Sequence, residues 1–327
     1  MTIGLCITSI YPESAILRKN CEEWDKGSIH IALDKKSYQN GETNFPGYIS
    51  IDRQPRTEYE RSAVHNSYAR KNISYLDARS LNDFIFETDD DNLIKLDRLG
   101  DPEQHFSSKD IITFEQNKNI FEDLYPERMG NIWARGYNLA NLDKKISDVQ
   151  SNIPLMPGVI QFLVDGNPDV DAIYRLVAGA DLDLSVDELR LPLAVAKGWH
   201  PFNSQATLWR SSDIHLMYLP TYCNFRMTDI YRGYIAQRIL KERNQHLVFE
   251  GVAVKQVRNQ HSITGDFFGE HSGYKDVGKL IKILETIELS NMSEHQMLTS
   301  IYNELIKADI IEDQELTHLN AYLESCK

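Results

Sequence analysis

Cysteine is scarce in this chain of 327 residues, and its spacing excludes two classes of protein. The cysteines are Cys6, Cys21, Cys223 and Cys326, and no two of them form a CxxC pair. A disulfide framework and a cysteine-based metal cage are therefore not expected. The same usage fits a reducing compartment.

Long apolar runs are also missing from the sequence. No segment approaches the roughly 20 consecutive apolar residues that a membrane span needs. The start, MTIGLCITSIYPES, lacks a basic region and a long apolar core, so it predicts a first strand and not a signal peptide. These features favour a cytoplasmic protein without a membrane span.

Positive charge is in deficit, because 35 Lys and Arg residues face 48 Asp and Glu, for a formal net charge of −13. General affinity for nucleic acid requires a basic footprint, so nucleic acid is not an expected partner. The hydrophobic fraction of 42% and the charged fraction of 25% are typical of a soluble globular protein.

The first hundred residues alternate strand and helix patterns. Helices are predicted at Glu13–Trp24 and Thr57–Ser80, and strands at Ile3–Ile10, Ser28–Asp34, Gly47–Ile51 and Asp83–Asp89. Strands that alternate with helices indicate βαβ units and a mainly parallel α/β sheet. Ligands bind outside the carboxyl ends of such strands, which is where Asp34 and the run Asp89–Asp91 fall.

The stretch FIFETDDDN, from Phe84 to Asn92, leads a strand directly into three adjacent carboxylates. Neighbouring carboxylates need solvent, cations or hydrogen-bond donors to stay ionised. An EF-hand is excluded, because a loop that starts at Asp89 places Ile94 where the glycine is required. Two interpretations stay open: a solvated loop, or a carboxylate pair that holds Mg²⁺ or Mn²⁺ against a diphosphate.

An ordered set of motifs resembles a known family. The matching stretches are ITSIYPES, ALDKKS, YARKNISYL, FETDDDN, WARGY, NPDVDAIYRL, PFNSQATLW, FRMTDIYRGYIAQRIL and QVRNQH. Together they resemble the STELLO-like glycosyltransferases of GT-A fold. They are more distantly similar to the reversibly glycosylated polypeptides, which are UDP-arabinopyranose mutases. The resemblance covers most of the chain up to about residue 270.

This resemblance implies an architecture. A GT-A fold is α/β and Rossmann-like, with a mixed, mainly parallel sheet flanked by helices, here followed by a C-terminal helical extension. Residues 1–268 would form the transferase domain, with a nucleotide-binding half at 1–150 and an acceptor half at 151–268. Residues 269–327 would form a helical tail that packs on the domain or on a partner, so a homo-oligomer or larger assembly stays open.

The resemblance also implies an activity in polysaccharide biosynthesis. A sugar would move from a nucleotide-sugar donor, expected to be a UDP-sugar, to a glycan or lipid-linked acceptor, with Mn²⁺ or Mg²⁺ as the cofactor. Peripheral binding to a membrane stays open. One alternative is a nucleotide-sugar mutase, but the mutases carry a second arginine seven residues after the one that Arg135 matches, and here that position is Leu142. Another is a non-catalytic scaffold of the same fold.

Residue roles follow from the same motifs. Asp229 is the implied general base of an inverting reaction, because it begins a helix beside the acceptor. The implied metal ligands are Asp89, Asp91 and His261. The residues implied in binding the donor are Thr8, Ser9, Ile10, Asp34, Arg70, Asp90, Arg135, Asn203, Gln205, Arg232 and Arg258.

Structural roles stay open for several of these positions. Asp229 also fits a helix N-cap, and Asp169 is the expected cap of the helix that follows Pro168. The basic pair of Arg70 and Lys71 either neutralises a diphosphate or balances the acidic run. Asp171 and Arg175 stand four residues apart and can pair with each other on one helical face, or either can face the donor sugar.

Overall fold

The computed structural model describes residues 1–114, 118–125, 132–142, 150–179, 182–184, 192–195, 197–257 and 262–327. Within them, the strands are β1 Ile3–Ser9, β2 Ile29–Leu33, β3 Tyr48–Ile49, β4 Phe84–Thr88, β5 Asn92–Ile94, β6 Lys109–Phe114, β7 Gln150–Leu155, β8 Pro157–Asp165, β9 Leu193–Val195, β10 Ala206–Arg210 and β11 His246–Gln256. The helices are α1 Ala15–Glu23, α2 Glu58–Ser62, α3 Lys71–Ala78, α4 Leu96–Leu99, α5 Pro102–Phe106, α6 Phe121–Leu124, α7 Ala172–Ala178, α8 Thr228–Glu242, α9 Ile263–Thr286, α10 Glu294–Lys307 and α11 Glu315–Ser325.

All strands belong to one sheet, in the order β3-β2-β1-β4-β10-β8-β11-β9-β6-β7, with β5 paired to β11. The first four strands of this order pair in parallel. Strand β10 then runs antiparallel between β4 and β8, and antiparallel pairs alternate with parallel ones beyond it. The predicted mixed α/β fold with flanking helices is confirmed, and its wholly parallel part is the N-terminal half.

Strand β1 shows why the sheet has a core on both faces. Its residues alternate between faces, as in any strand. Ile3, Leu5 and Ile7 pack in a cluster with Trp24, while Cys6 joins the cluster on the opposite face. Apolar residues on both faces are therefore required along most of β1, because helices cover both faces of the parallel part.

The helix predicted over Thr57–Ser80 is wrong as one continuous element. It is divided into α2, a 3₁₀ turn at Tyr68–Arg70 and α3. Asn66 adopts a left-handed conformation with φ of 56°, which asparagine tolerates better than most residues. Ser67 then caps the 3₁₀ turn by accepting a hydrogen bond from the backbone N–H of Ala69. This break turns residues 66–68 towards the carboxyl ends of the strands.

The helical tail is an integral part of the domain. Leu298, Ile301 and Leu319 are buried in the same cluster as Trp209 of the sheet. Of the two alternatives left by the sequence, packing on the domain is the one observed, and the proposed boundary at residue 268 falls inside α9. Among the described residues, no helix combines the length and apolar character needed to cross a membrane.

Glu294 at the start of α10 fastens the tail to the rest of the domain. Its carboxylate pairs with Arg243, which follows α8, and with the imidazole of His215 at 2.6 Å. Burial alone would raise the pKa of Glu294, but the bonds from His215 and Arg243 lower it to about 2. The ionised Glu294 carboxylate therefore holds the tail to His215 and Arg243.

Acid should therefore loosen the tail, and Glu294→Gln should weaken that response. A carboxyl whose folded pKa lies below its ordinary value of about 4.5 adds stability above that pH and loses it as pH falls towards 2. We expect the free energy of unfolding to fall less between pH 6 and pH 3 in this variant than in the wild type, measured with urea. Glu304→Gln, at an exposed pair with Lys307, should leave the drop unchanged.

Candidate active site

A cavity of about 410 Å³ opens at the carboxyl ends of β1, β2 and β4. This volume lies in the range of about 300–1,000 Å³ found for small-molecule sites. The cavity lies where parallel strands of this order bind ligands. Its walls include the predicted residues Thr8, Ser9, Ile10, Asp34, Asp89, Asp90, Asp91, Arg135, Asn203, Gln205 and Asp229.

Two other predicted residues in the described part of the chain, Arg70 and Arg232, do not line this cavity. Arg258 and His261 lie outside the described residues, so their assignments stay predictions. Arg70 is buried behind the wall, where its Nε donates to the carbonyl oxygen of Leu33 at 2.9 Å. The guanidinium lies 3.9 Å from the Asp34 carboxylate and supports the strand end that carries it.

The prediction that Arg232 contacts pyrophosphate or acceptor is wrong for this structure. Its side chain is 1% exposed, and its Nη2 lies 2.8 Å from Oε1 of the buried Glu87. The guanidinium also stacks over the rings of Trp209 and Phe202. Arg232 is a core residue, because a buried glutamate requires a cationic partner.

The acidic run Asp89–Asp91 forms one wall of the cavity, and each member has a different environment. Asp89 accepts hydrogen bonds from the Lys71 ammonium at 2.9 Å and from the Tyr68 hydroxyl at 2.6 Å. Lys71 is completely buried, so of its two proposed roles the one observed is to balance the acidic run. Asp91 accepts a hydrogen bond from the Gln256 amide at 3.1 Å.

Asp90 shows that negative charge is in excess at this wall. Its carboxylate accepts a hydrogen bond from the Ser9 hydroxyl. Burial, together with the nearby carboxylates of Asp91 and Asp89, nevertheless raises the pKa of Asp90 to about 7. The Lys71 ammonium lies 2.9 Å from the Asp89 carboxylate and supplies positive charge to this wall.

These carboxylates fit a hard divalent cation. Mg²⁺ and Mn²⁺ take oxygen ligands and need only one or two protein carboxylates when phosphate oxygens complete the shell. No group of three or more His, Cys, Asp or Glu side chains suited to a metal occurs in the described part of the chain. Asp89 and Asp91 can supply the carboxylates for a cation that is shared with a phosphate ligand.

Across the cavity, Arg135 joins two carboxylates. Its Nη1 and Nη2 each lie 3.0 Å from an oxygen of Asp229, and its Nε and Nη2 donate to Asp169. Burial alone would lower the pKa of Arg135, but Asp169 and Asp229 raise it above its ordinary value. Burial would likewise raise the pKa of Asp169, but Arg135 lowers it below its usual range.

A glycine makes this arrangement possible. Gly136 has φ of 79°, a conformation that side chains disfavour. A Cβ at this position would lie 2.3 Å from Cγ2 of Ile230, so the turn could not approach the start of α8. This close approach puts Arg135 against Asp229, which lies in the first turn of α8.

The two helix-cap assignments made from the sequence need correction. The N-cap residue of α7 is Asp171, whose side chain accepts from the backbone N–H of Ile173, and not Asp169. Asp169 faces the cavity. The N-cap residue of α8 is Met227, so Asp229 is not the cap either. Neither Asp169 nor Asp229 is a helix cap, and both accept hydrogen bonds from Arg135.

Arg135→Ala should strongly destabilise the fold, because Asp169 and Asp229 would remain buried without their cation. Removing one partner of a buried ion pair costs about 3–5 kcal/mol, and we expect a loss of this size in the free energy of unfolding, measured with urea. Arg18→Ala is the control, since Arg18 pairs with Glu13 at the surface and should change stability by less than about 1 kcal/mol.

Other residues of the cavity were not found from the sequence. They are Tyr11, Lys36, Asn66, Ser67, Tyr68, Phe225, Arg226 and Gln256, in addition to Asp169. Arg175, which the sequence left open as a residue facing the donor sugar, also lines the cavity. Residues 66–68 were hidden inside a predicted helix, and the asparagine-serine pair was the signal that could have revealed its break. The others are single polar or aromatic residues whose spacing carries no site signal.

The fold and site define an α/β protein with an acidic cavity at its strand ends, and sequence comparisons agree with the motifs. The family model of STELLO glycosyltransferases matches residues 226–327. Probable glycosyltransferase STELLO2 of Arabidopsis thaliana is 26% identical over 284 residues, covering 80% of this chain and 34% of the relative. Probable glycosyltransferase STELLO1 of the same plant is 24% identical over 318 residues, covering 93% and 39%.

The predicted resemblance to the STELLO-like glycosyltransferases is confirmed by these matches. The chain spans between a third and two fifths of the length of these curated relatives.

Solved structures with similarity to this chain include glucosyl-3-phosphoglycerate synthase from Mycobacterium tuberculosis. Its complex with phosphoglyceric acid aligns with a TM-score of 0.38 and 10% identity, over 90% of this chain and 81% of that one. Its complex with Mn²⁺ and UDP-glucose aligns with a TM-score of 0.37 and 10% identity, over 83% and 76%.

Proposed function

We propose that this chain is a metal-dependent glycosyltransferase that moves a sugar from a UDP-sugar to a glycan or lipid-linked acceptor. One observation carries the proposal. The acidic run Asp89–Asp91 and the Asp169–Arg135–Asp229 cluster line the same cavity at the strand ends. The first can face a diphosphate through a cation, and the second can face the sugar and the attacking hydroxyl.

The nucleoside end of the donor belongs beside β1 and β2. Thr8, Ser9 and Ile10 lie where β1 ends, and Asp34 follows β2. The Asp34 carboxylate is fixed by the backbone N–H of Lys35 and the imidazole of His65. Hydroxyl, backbone and carboxylate groups of this kind suit a ribose and a base.

The diphosphate belongs beside the acidic run. Asp89 and Asp91 would hold Mn²⁺ or Mg²⁺, which when bound neutralises the charge that develops on the leaving diphosphate. Lys71 fixes the orientation of the Asp89 carboxylate from behind. Asp90 lies between them and is tied to β1 through Ser9.

Asp229 is the proposed general base for the acceptor hydroxyl, in a reaction that inverts the anomeric centre. Its two oxygens accept from Arg135, from the backbone N–H of Ile230 at 3.0 Å and from that of Ser204 at 3.3 Å. Arg135 supplies two of these hydrogen bonds, so Asp229 accepts four in all, which matches the roughly four lone pairs of a carboxylate. One of the four must therefore be released when the acceptor hydroxyl binds. Asp169 shares Arg135 and is the alternative base.

A transfer assay tests this function. The full chain is incubated with Mn²⁺, a panel of UDP-sugars and either oligosaccharides or a lipid extract, and release of UDP is followed. The proposal expects acceptor-stimulated UDP release with at least one donor, and loss of that release when Mn²⁺ is chelated. Binding of UDP-sugars without any turnover would instead favour the non-catalytic scaffold.

A further inference from the structure

Phe225 is an aromatic residue on the cavity wall that none of the steps above uses. Its side chain is 63% exposed, and it lies among the lining residues together with Arg226 and Asp229. A single exposed phenylalanine on an open surface needs no explanation. On the wall of a ligand cavity, however, the same ring offers an apolar face that a ligand can cover.

The ring is held in place and is not a loose side chain. Phe225 begins a 3₁₀ turn, Phe225–Met227, in which the side chain of Asn224 accepts from the backbone N–H of Arg226. Arg135 holds the same turn by donating to the carbonyl oxygen of Arg226. The Tyr68 and Phe225 rings pack in a T-shaped arrangement, with 5.9 Å between centroids and 85° between planes.

The contact with Tyr68 fixes where the ring lies along the cavity. The Tyr68 hydroxyl donates to Asp89, and Arg226, the residue next to Phe225, is bonded to Arg135. The ring is thus connected through Tyr68 to Asp89 and through Arg226 to the Arg135 cluster. The proposed nucleoside end, at Thr8–Ile10, is connected to the acidic run by the hydrogen bond from Ser9 to Asp90.

We propose that Phe225 is a stacking platform for the C–H face of a sugar ring, and thereby a determinant of substrate specificity. The faces of aromatic rings carry negative charge density, which attracts the slightly positive C–H groups of a sugar. Phe225 supplies this face in the half of the cavity where the sugar must lie if the chain transfers sugars, so the inference rests on the proposed function. The sugar is that of the donor or that of the acceptor, and the experiment separates the two.

The test compares Phe225→Ala with variants that change one property at a time. Phe225→Trp keeps an aromatic face and should keep wild-type behaviour, whereas Phe225→Leu keeps only an apolar group. Phe268→Ala is the matched control, because Phe268 on α9 is 67% exposed and is not among the described residues that line the cavity. Since both phenylalanines are exposed, all these variants should fold normally.

Two measurements distinguish the source of the sugar. Calorimetry with Mn²⁺ gives the affinity for UDP and for UDP-glucose. Saturation-transfer NMR on the protein loaded with UDP and Mn²⁺ gives the affinity for methyl glycosides of glucose, galactose, mannose and xylose. Covering one face of a phenylalanine ring supports an expected loss of about tenfold. Phe225→Ala should cause this loss for UDP-glucose if the donor stacks, or for a methyl glycoside if the acceptor stacks, with UDP binding unchanged.

Several results would overturn the platform. If Phe225→Ala weakens the binding of UDP and of UDP-glucose equally, the cavity is disturbed in general. If Phe225→Leu binds the sugar with wild-type affinity, an aromatic face is not required. No change in either measurement would leave Phe225 without a role. If wild-type protein binds neither UDP nor UDP-glucose, the proposed function itself fails, which is a different outcome from normal donor binding with an indifferent Phe225.

Discussion

Asp91→Ala should abolish the contribution of Mn²⁺ to UDP binding and leave the fold intact. The variant removes one of three adjacent carboxylates, and the backbone of Asp91 keeps its bond from the N–H of Val257 at 2.9 Å. Changes in the outer contacts of a metal ligand already cost about 10–100-fold in metal affinity, so loss of the ligand itself should exceed about 100-fold. The electron paramagnetic resonance signal of free Mn²⁺, titrated with protein and UDP, measures this directly.

The control for that variant is Asp25→Ala. Asp25 is exposed, pairs only weakly with Lys26 at 4.0 Å, and does not line the cavity. It should bind Mn²⁺ and UDP like the wild type. Urea unfolding of Asp91→Ala beside the wild type verifies that the variant is folded. Metal-dependent UDP binding that survives in Asp91→Ala would take this carboxylate out of the site.

Asp229→Asn should reduce sugar transfer by about 10²–10⁴-fold, the usual contribution of a general base. Asparagine keeps the shape and part of the hydrogen bonding but cannot accept the proton of the attacking hydroxyl. Binding of UDP-sugar and Mn²⁺ should stay close to that of the wild type, because the proposed contacts to the metal and the nucleoside come from the acidic run and the ends of β1 and β2. Rates of transfer under saturating donor, together with donor affinities from calorimetry, separate the two effects.

Asp169→Asn is the matched control for this prediction. It removes a carboxylate from the same guanidinium, that of Arg135, so both variants weaken the same cluster. Only a loss specific to Asp229→Asn supports Asp229 as the base. Equal losses would assign the effect to the shared ion pair, and a loss confined to Asp169→Asn would move the base to Asp169.

Part of the site could be predicted from local patterns. A carboxylate that directly follows a predicted parallel strand must lie at the sheet edge where ligands bind. This reasoning placed Asp34 and Asp89–Asp91 together although they are separated along the chain. Ser9 and Asp229 were predicted from the family resemblance of their motifs.

The partners of these residues could not be predicted, because they depend on contacts between distant segments. Arg232 lies in a motif that resembles the family's site, but its partner in the structure is Glu87 of β4. The two residues meet only because α8 packs against the sheet. Arg135 meets Asp229 only because Gly136 lets its turn approach Ile230. Local sequence patterns contain no information about such approaches.

The prediction of one continuous helix over Thr57–Ser80 failed for another reason, which is the break at Asn66. Residues 57–80 keep a helical spacing of apolar residues, and periodicity cannot register one residue that turns left-handed. The competing signal was local: the side chain of Ser67 satisfies a backbone N–H at the start of the next turn. The same event placed Asn66, Ser67 and Tyr68 in the cavity.

Calorimetry of UDP binding to the full wild-type chain, with and without Mn²⁺, tests the central claim most directly. A cavity with Asp89–Asp91 on one wall should bind UDP in the presence of Mn²⁺ and lose most of that affinity when the metal is chelated, since the diphosphate would then face carboxylates directly. UDP that fails to bind under both conditions, or that binds equally well in both, would contradict the account.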